Sequence, residues 1–300
     1  MRLPALLVCV GLISIACSTT QGRPSPGPRS VVPREHIVFI LLENHEYDSV
    51  TSTSMPFLTS ETAKYVKLTN SYAITHPSLP NYMTLTGGET FFTSNCDVTQ
   101  SSCRTDATNV VEQLEGAGLS WKAYMETMPS ACYKEESYGT PPMDYRAKHD
   151  PFMHYSDVYD SGARCRLVVP LTQLTADLKA DALPAYAFIT PNQCNDAHSC
   201  SLSDADAFLA TWVPQIEAHL GTMGVIFVTF DEGTSDAGCC KGVAAGGHVY
   251  TAILGRGAKA ATTISASVDA YSLLAAVEAN WGLALLGNAG KAPLLTGWQS

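Results

Sequence analysis

The chain has 300 residues, 46% hydrophobic and 15% charged, with a formal net charge of −10 from 28 acidic and 18 basic residues. That composition belongs to a chain able to bury a substantial core, which excludes overall disorder. No Lys/Arg cluster interrupts the acidic balance, which excludes nucleic-acid binding through a basic patch.

The first segment, MRLPALLVCVGLISIAC (1–17), has a charged start and an apolar run of about a dozen residues, short of the roughly 20 a membrane span needs. It reads as a secretory signal. Its end at Cys17 resembles a bacterial lipoprotein processing site, with Ser14 where leucine is usual; an acylated Cys17 would tether the chain outside the cell membrane, and simple cleavage would release it. Residues 18–33, rich in Pro, Gly and Ser, read as a flexible linker. One domain is expected over 34–300.

HIVFILLEN (36–44) is an unbroken apolar run that stops at Glu43 and Asn44. THPSLPNYMTLTGG (75–88) follows, with Ser78 where it could cap a helix or do chemistry, and Pro80 suited to a first helical turn. Helical patterns fall at 108–118, 171–180, 204–220 and 269–282, and further strands at 119–126, 183–192, 224–233 and 248–255. Unalternated apolar strands interleaved with helices predict an α/β fold whose mostly parallel central sheet carries helices on both faces. The stretch 127–169 has no periodicity and is too long for a passive connection, so an irregular cap is expected there.

Excluding Cys9 and Cys17, eight cysteines remain, an even number in a chain expected to be exported. Their spacing suggests the pairs Cys96–Cys103, Cys132–Cys165, Cys194–Cys200 and Cys239–Cys240. No C-x-x-C pair points to a structural zinc.

In open α/β sheets ligands bind beyond the carboxyl ends of the strands. Glu43 and Asn44, the NQCNDAHSC segment (192–200) and Asp231 with Glu232 all fall at such ends. Carboxylates gathered in one cleft repel one another unless a cation or proton is shared, so a divalent metal is expected.

LLENHEYDSV, THPSLPNYMTLTGG, AKHDPF, ITPNQCNDAHSC, VTFDEG and GGHVYTAILG, in this order, resemble the bacterial and fungal phosphoesterase family of acid phosphatases and phospholipases C, a branch of the alkaline phosphatase superfamily. The resemblance implies an alkaline-phosphatase-like fold and a nucleophile at Ser78, with Asn81 on a phosphoryl oxygen. It implies that Glu43, Asn44, Ser78, Asp231 and Glu232 hold one divalent ion, and that Asp196, His198 and His248 hold a second or, without one, that His198 and His248 contact the substrate. His149 in AKHDPF matches the family's cap histidine and would touch substrate, while His76 would orient its loop. Serine for threonine, Glu43 for aspartate and Glu232 for histidine are departures from the wider superfamily; fewer imidazoles favour harder ions, one or two in number.

The expected activity is hydrolysis of small phosphate monoesters, because the chain stops soon after its last helix and lacks the added C-terminal material of phospholipase C members. A phosphodiesterase or phospholipase C is the alternative. A non-catalytic metal-binding surface domain would leave Ser78 idle, and a serine esterase would need a G-x-S-x-G elbow that does not occur.

Overall fold

Three of the apolar runs fold as adjacent parallel strands, and their ends carry the carboxylates to one edge. The computed structural model describes residues 35–300, so the signal segment, the linker and Cys17 lie outside the described residues. In chain order the elements are β1 (Ile37–Leu42), α1 (Pro56–Lys64), β2 (Val66–Tyr72), α2 (Ser78–Gly87), α3 (Val110–Gly116) and β3 (Trp121–Met125). A hairpin of β4 (Ser137–Tyr138) and β5 (Tyr145–Arg146) follows, then α4 (Ser156–Tyr159), β6 (Val168–Pro170), α5 (Thr172–Lys179) and β7 (Tyr186–Thr190). α6 (Leu202–Glu217), β8 (Val225–Phe230), β9 (His248–Leu254), β10 (Thr262–Ile264), β11 (Val268–Asp269) and α7 (Ala270–Trp281) complete the fold.

The nine-stranded sheet runs β10-β2-β9-β8-β1-β7-β3-β6, with β11 also on β2. β8, β1, β7, β3 and β6 are parallel, whereas β9 runs antiparallel to both β8 and β2. Alternation along β1 sorts the core: Ile37, Phe39 and Leu41 face α2, α3 and α7, and Val38, Ile40 and Leu42 face α1, α5 and α6. In α6 the buried Ala205, Leu209, Val213 and Ile216 recur at helical spacing on the sheet-facing side.

The irregular 127–169 stretch is a cap of one hairpin and short helical turns, but its last two residues already belong to β6 in the sheet. All four expected disulfides are present: Cys96–Cys103, Cys132–Cys165, Cys194–Cys200 and Cys239–Cys240.

Candidate active site

Register and parity converge on one point above the sheet. Leu42 pairs with Phe230, so the next residues, Glu43 and Asp231, lie side by side at the carboxyl ends of β1 and β8. Both continue the strand parity that faces α2, since Leu42 and Phe230 belong to the opposite core. The loop after β7 closes the third side, where the Glu43 N–H donates to the Asp196 carbonyl (2.8 Å).

Ser78 is the first residue of α2. Pro77 holds the cap position without a side-chain cap bond, and the Leu79 N–H is taken by Asn95 Oδ1 (2.9 Å). The serine is therefore no cap; its buried hydroxyl lies 3.1 Å from Glu43 Oε2 and 3.2 Å from Glu232 Oε1. A hydroxyl has one proton to donate, so two carboxylates around it leave an unmet demand for positive charge. One helical turn on, the Tyr82 hydroxyl donates to Glu43 Oε1 (2.6 Å), and its ring stacks on His149 with centroids 5.1 Å apart.

His149 comes from the cap and is held over β7 by the Thr190 hydroxyl, which donates to the His149 carbonyl (3.0 Å). Its Nε2 lies 3.2 Å from Glu43 Oε2 and its Nδ1 3.4 Å from Asp196 Oδ2, both within ion-pair reach but without hydrogen-bond alignment. A donor atom from each of Glu43, His149 and Asp196 lies within 4.8 Å of the other two, and all three residues are buried.

The electrostatics of this cluster are uncompensated. Burial raises the Glu43 pKa, against the opposing pull of Lys148 and the Tyr82 hydrogen bond. Burial, then the charges of Glu43 and Glu232, push Asp231 well above the carboxylate range. Asp196 is pushed up to about 6, first by burial, and burial lowers His149 to about 4. Asp231 Oδ2, Asp196 Oδ2 and His149 Nε2 are buried without a hydrogen-bond partner. Orphaned carboxylate oxygens beside a neutral imidazole fit a divalent cation, which would supply the missing charge.

The other expected site residues divide. Glu232 accepts from His76 Nδ1, and His76 Nε2 lies 3.1 Å from the Ser235 carbonyl, so His76 bridges the loop before α2 and the loop after β8. Burial draws the His76 pKa down, but these bonds outweigh it and raise it. His198 is exposed at the mouth, with its ring centroid 5.9 Å from that of His149. Asn44 sits at a positive φ of 53° and its backbone N–H donates to Asp231 Oδ1 (3.2 Å).

Two residues are placed differently from their expected substrate contacts. Asn81 spends its amide on the loop before α2: Oδ1 accepts from the Ile74 and Thr75 N–H groups (3.0 and 3.1 Å), and Nδ2 donates to the Thr75 and Pro77 carbonyls (2.7 and 3.3 Å). That uses both donors and both lone pairs of the amide oxygen. The His248 imidazole lies between Tyr47 and Tyr72, with Nε2 on the Thr69 carbonyl (2.8 Å), and no described contact joins it to the carboxylates. The antiparallel pairing of β9 with β2, Tyr72 opposite His248, turns it that way.

Tyr82, Glu46 and Lys148 escaped the sequence reading. Tyr82 was detectable as the i+4 neighbour of Ser78 on one helix face. Glu46 Oε1 accepts from the Thr234 and Ser235 N–H groups (3.0 and 2.9 Å) and Oε2 from that of His248 (3.2 Å), clamping the loop that carries Glu232. A Cβ on Gly233 would collide with Glu46 Oε1, which explains a glycine directly after Glu232. No local pattern announces these long-range contacts.

Solved structures share the fold. An alkaline phosphatase superfamily protein of Vibrio parahaemolyticus superposes with TM-score 0.59 at 13% identity, covering 88% of this chain and 71% of its own. Murine ectonucleotide pyrophosphatase/phosphodiesterase 5 does so with TM-score 0.56 at 12% identity, covering 88% and 97%. Among sequences, an acid phosphatase of Aspergillus fumigatus is 32% identical over 256 residues, 83% of this chain and 55% of the relative, so the chain spans about half that relative's length. A phosphate-repressible acid phosphatase of Penicillium chrysogenum is 31% identical over 308 residues, 94% of this chain and 72% of the relative. A phosphatidylinositol-3-phosphatase of Mycobacterium tuberculosis is 27% identical over 304 residues, 98% and 94%. A family model described as the Phosphoesterase family matches residues 51–284, and the chain belongs to that family.

Proposed function

We propose that this chain is an exported, metal-dependent phosphoesterase that hydrolyses small phosphate monoesters with Ser78 as nucleophile. The observation that carries the reading is a buried serine hydroxyl between Glu43 and Glu232, beside the orphaned oxygens of Asp231 and Asp196. The acid phosphatases among its relatives support the monoester class.

Glu43, Ser78, Asp231 and Glu232 would hold one divalent ion, with Asn44 at its edge. Glu43, His149 and Asp196 form a second set of donors, which His198 can join from the mouth. When bound, such an ion supplies positive charge that lowers the pKa of the serine hydroxyl and neutralises the phosphoryl oxygens.

The chain's own residues do the rest. Glu43 and Glu232 are each within hydrogen-bonding reach of Ser78 Oγ and can take its proton as the oxygen attacks phosphorus. Tyr82 holds Glu43 in place by donating to its other oxygen. The P–O bond to the alcohol breaks in line with the attack, and the leaving oxygen takes a proton from water at the mouth of the site. Water then cleaves the phosphoserine and restores the hydroxyl.

The test is turnover of an aryl phosphomonoester by the purified protein, with and without chelator, beside Ser78→Ala. Chelation should abolish activity, metal should restore it, and the variant should lose at least about a thousandfold with its melting temperature kept. Full activity in Ser78→Ala, or indifference to chelation, would refute the reading.

A further inference from the structure

Four of the described cations pair with carboxylates, Lys64 with Glu61 (2.6 Å) among them. Lys122 pairs with Asp177 (2.6 Å), Arg146 with Asp144 (2.5 Å), and Arg164 with Glu115 (2.8 Å) and Asp157. Lys148 differs. It directly precedes His149 in the cap and is half-buried, yet among the described residues it forms no ion pair with a carboxylate. Its described partner is an imidazole: Nζ lies 3.4 Å from His198 Nε2.

An ammonium has three protons to donate and His198 can accept one, so two stay available for an acceptor at the mouth of the site. The position is fixed by a short chain of contacts. Lys148 meets His198, whose ring faces that of His149 at 5.9 Å; His149 reaches Glu43, and Glu43 reaches Ser78. The lysine's field is felt inside: it opposes the burial-driven rise of the Glu43 pKa, and it adds to the lowering that burial imposes on His149 and His198. The backbone of the next residue, His149, is tied to Thr190 at the end of β7, so the lysine's anchor point is part of the scaffold.

We propose that Lys148, resting on His198 before substrate arrives, binds a non-bridging oxygen of the phosphoryl group and selects doubly charged monoesters over singly charged diesters. The inference rests on the proposed function, because it assigns substrate preference to that same site. A fixed ammonium in a site otherwise lined by carboxylates gives a dianionic group a charge-assisted hydrogen bond that a diester, one charge poorer, uses less well.

The experiment compares the metal-loaded wild type with Lys148→Gln and Lys148→Arg in two readouts. Calorimetric titration with inorganic phosphate should show binding weakened about tenfold or more in Lys148→Gln and largely kept in Lys148→Arg. Steady-state kinetics should show kcat/KM falling about ten- to hundredfold for an aryl monoester and clearly less for an aryl diester. Melting temperatures should match the wild type, since the lysine pairs with no carboxylate. Unchanged phosphate affinity, or equal losses on both ester classes, would overturn the proposal. If the wild type hydrolysed neither ester, the proposed function would fall, and the phosphate titration alone would decide the role of Lys148.

Discussion

Replacing Asp196 by Asn should make the metal-free protein more stable at neutral pH while weakening the site. Asp196 is fully buried, and its pKa rises from the ordinary 3.8 to about 6, chiefly through burial, so the folded state holds its proton to higher pH than the unfolded chain. Its stabilising contribution is therefore complete below about pH 4 and is lost as pH rises through 6. His149 works in the opposite sense. With its pKa depressed to about 4, its contribution grows from there up to the unfolded imidazole value of about 6.5. At pH 7.5 both groups are past their windows and His149 is neutral in either state, so the cost of the Asp196 charge stands alone. A shift of about two units corresponds to about 3 kcal/mol. Asn removes that charge and keeps the oxygen that accepts the His198 N–H at 2.7 Å. With roughly 270 folded residues contributing about 2.1 cal/mol/K each, this becomes a rise of about 5 °C in Tm. The assay is thermal melting in chelator at pH 7.5, repeated with Mg2+, Ca2+, Mn2+ and Zn2+ in turn. Asp196→Asn should melt higher than the wild type in chelator and gain less from the ion that stabilises the wild type most. A variant melting at or below the wild type in chelator would show that Asp196 is not held there against its electrostatic cost.

Tyr82→Phe keeps the stack on His149 and removes the donor to Glu43. Hydrogen bonds to charged groups are worth about 1.5–3 kcal/mol, so the metal Kd measured by calorimetry should rise about tenfold or more, and an unchanged Kd would count against Glu43 as a ligand. Glu46→Gln cannot serve the three backbone N–H groups that the carboxylate holds. It should cost about 1–3 kcal/mol of stability and weaken metal binding, checked by denaturant melts and the same titration. Gly233→Ala should mimic it, because the new methyl collides with Glu46; loss of neither stability nor affinity would separate the clamp from the site.

The sequence exposes the fold where its signals are local. Continuous apolar runs mark β1, β7 and β8 because these strands are covered on both faces, and the polar residues that stop them mark the edge where Glu43, Asp231 and Asp196 meet. β2 is hidden because VKLTNSY mixes buried and half-buried positions and pairs with its neighbours through a register shift. α1 begins at a proline with no side-chain cap bond and buries only Leu58 and Thr62, so its pattern is faint. The antiparallel entry of β9 is set by tertiary pairing, and it carries His248 to Thr69 and the tyrosines. The motif position of Asn81 points to a ligand, whereas its four hydrogen-bonding positions close on the backbone of 74–77. Glu46 and Lys148 depend on partners about 190 and 50 residues away, a distance at which spacing carries no information.

In the proposed reaction the Ser78 hydroxyl receives the phosphoryl group. Its most direct test is acid quenching of the metal-loaded protein during turnover of a phosphomonoester, followed by mass mapping of its peptides. A phosphoryl adduct on Ser78 should appear with substrate and be absent in Ser78→Ala. Turnover with no modified serine, or with the adduct on another residue, would contradict it.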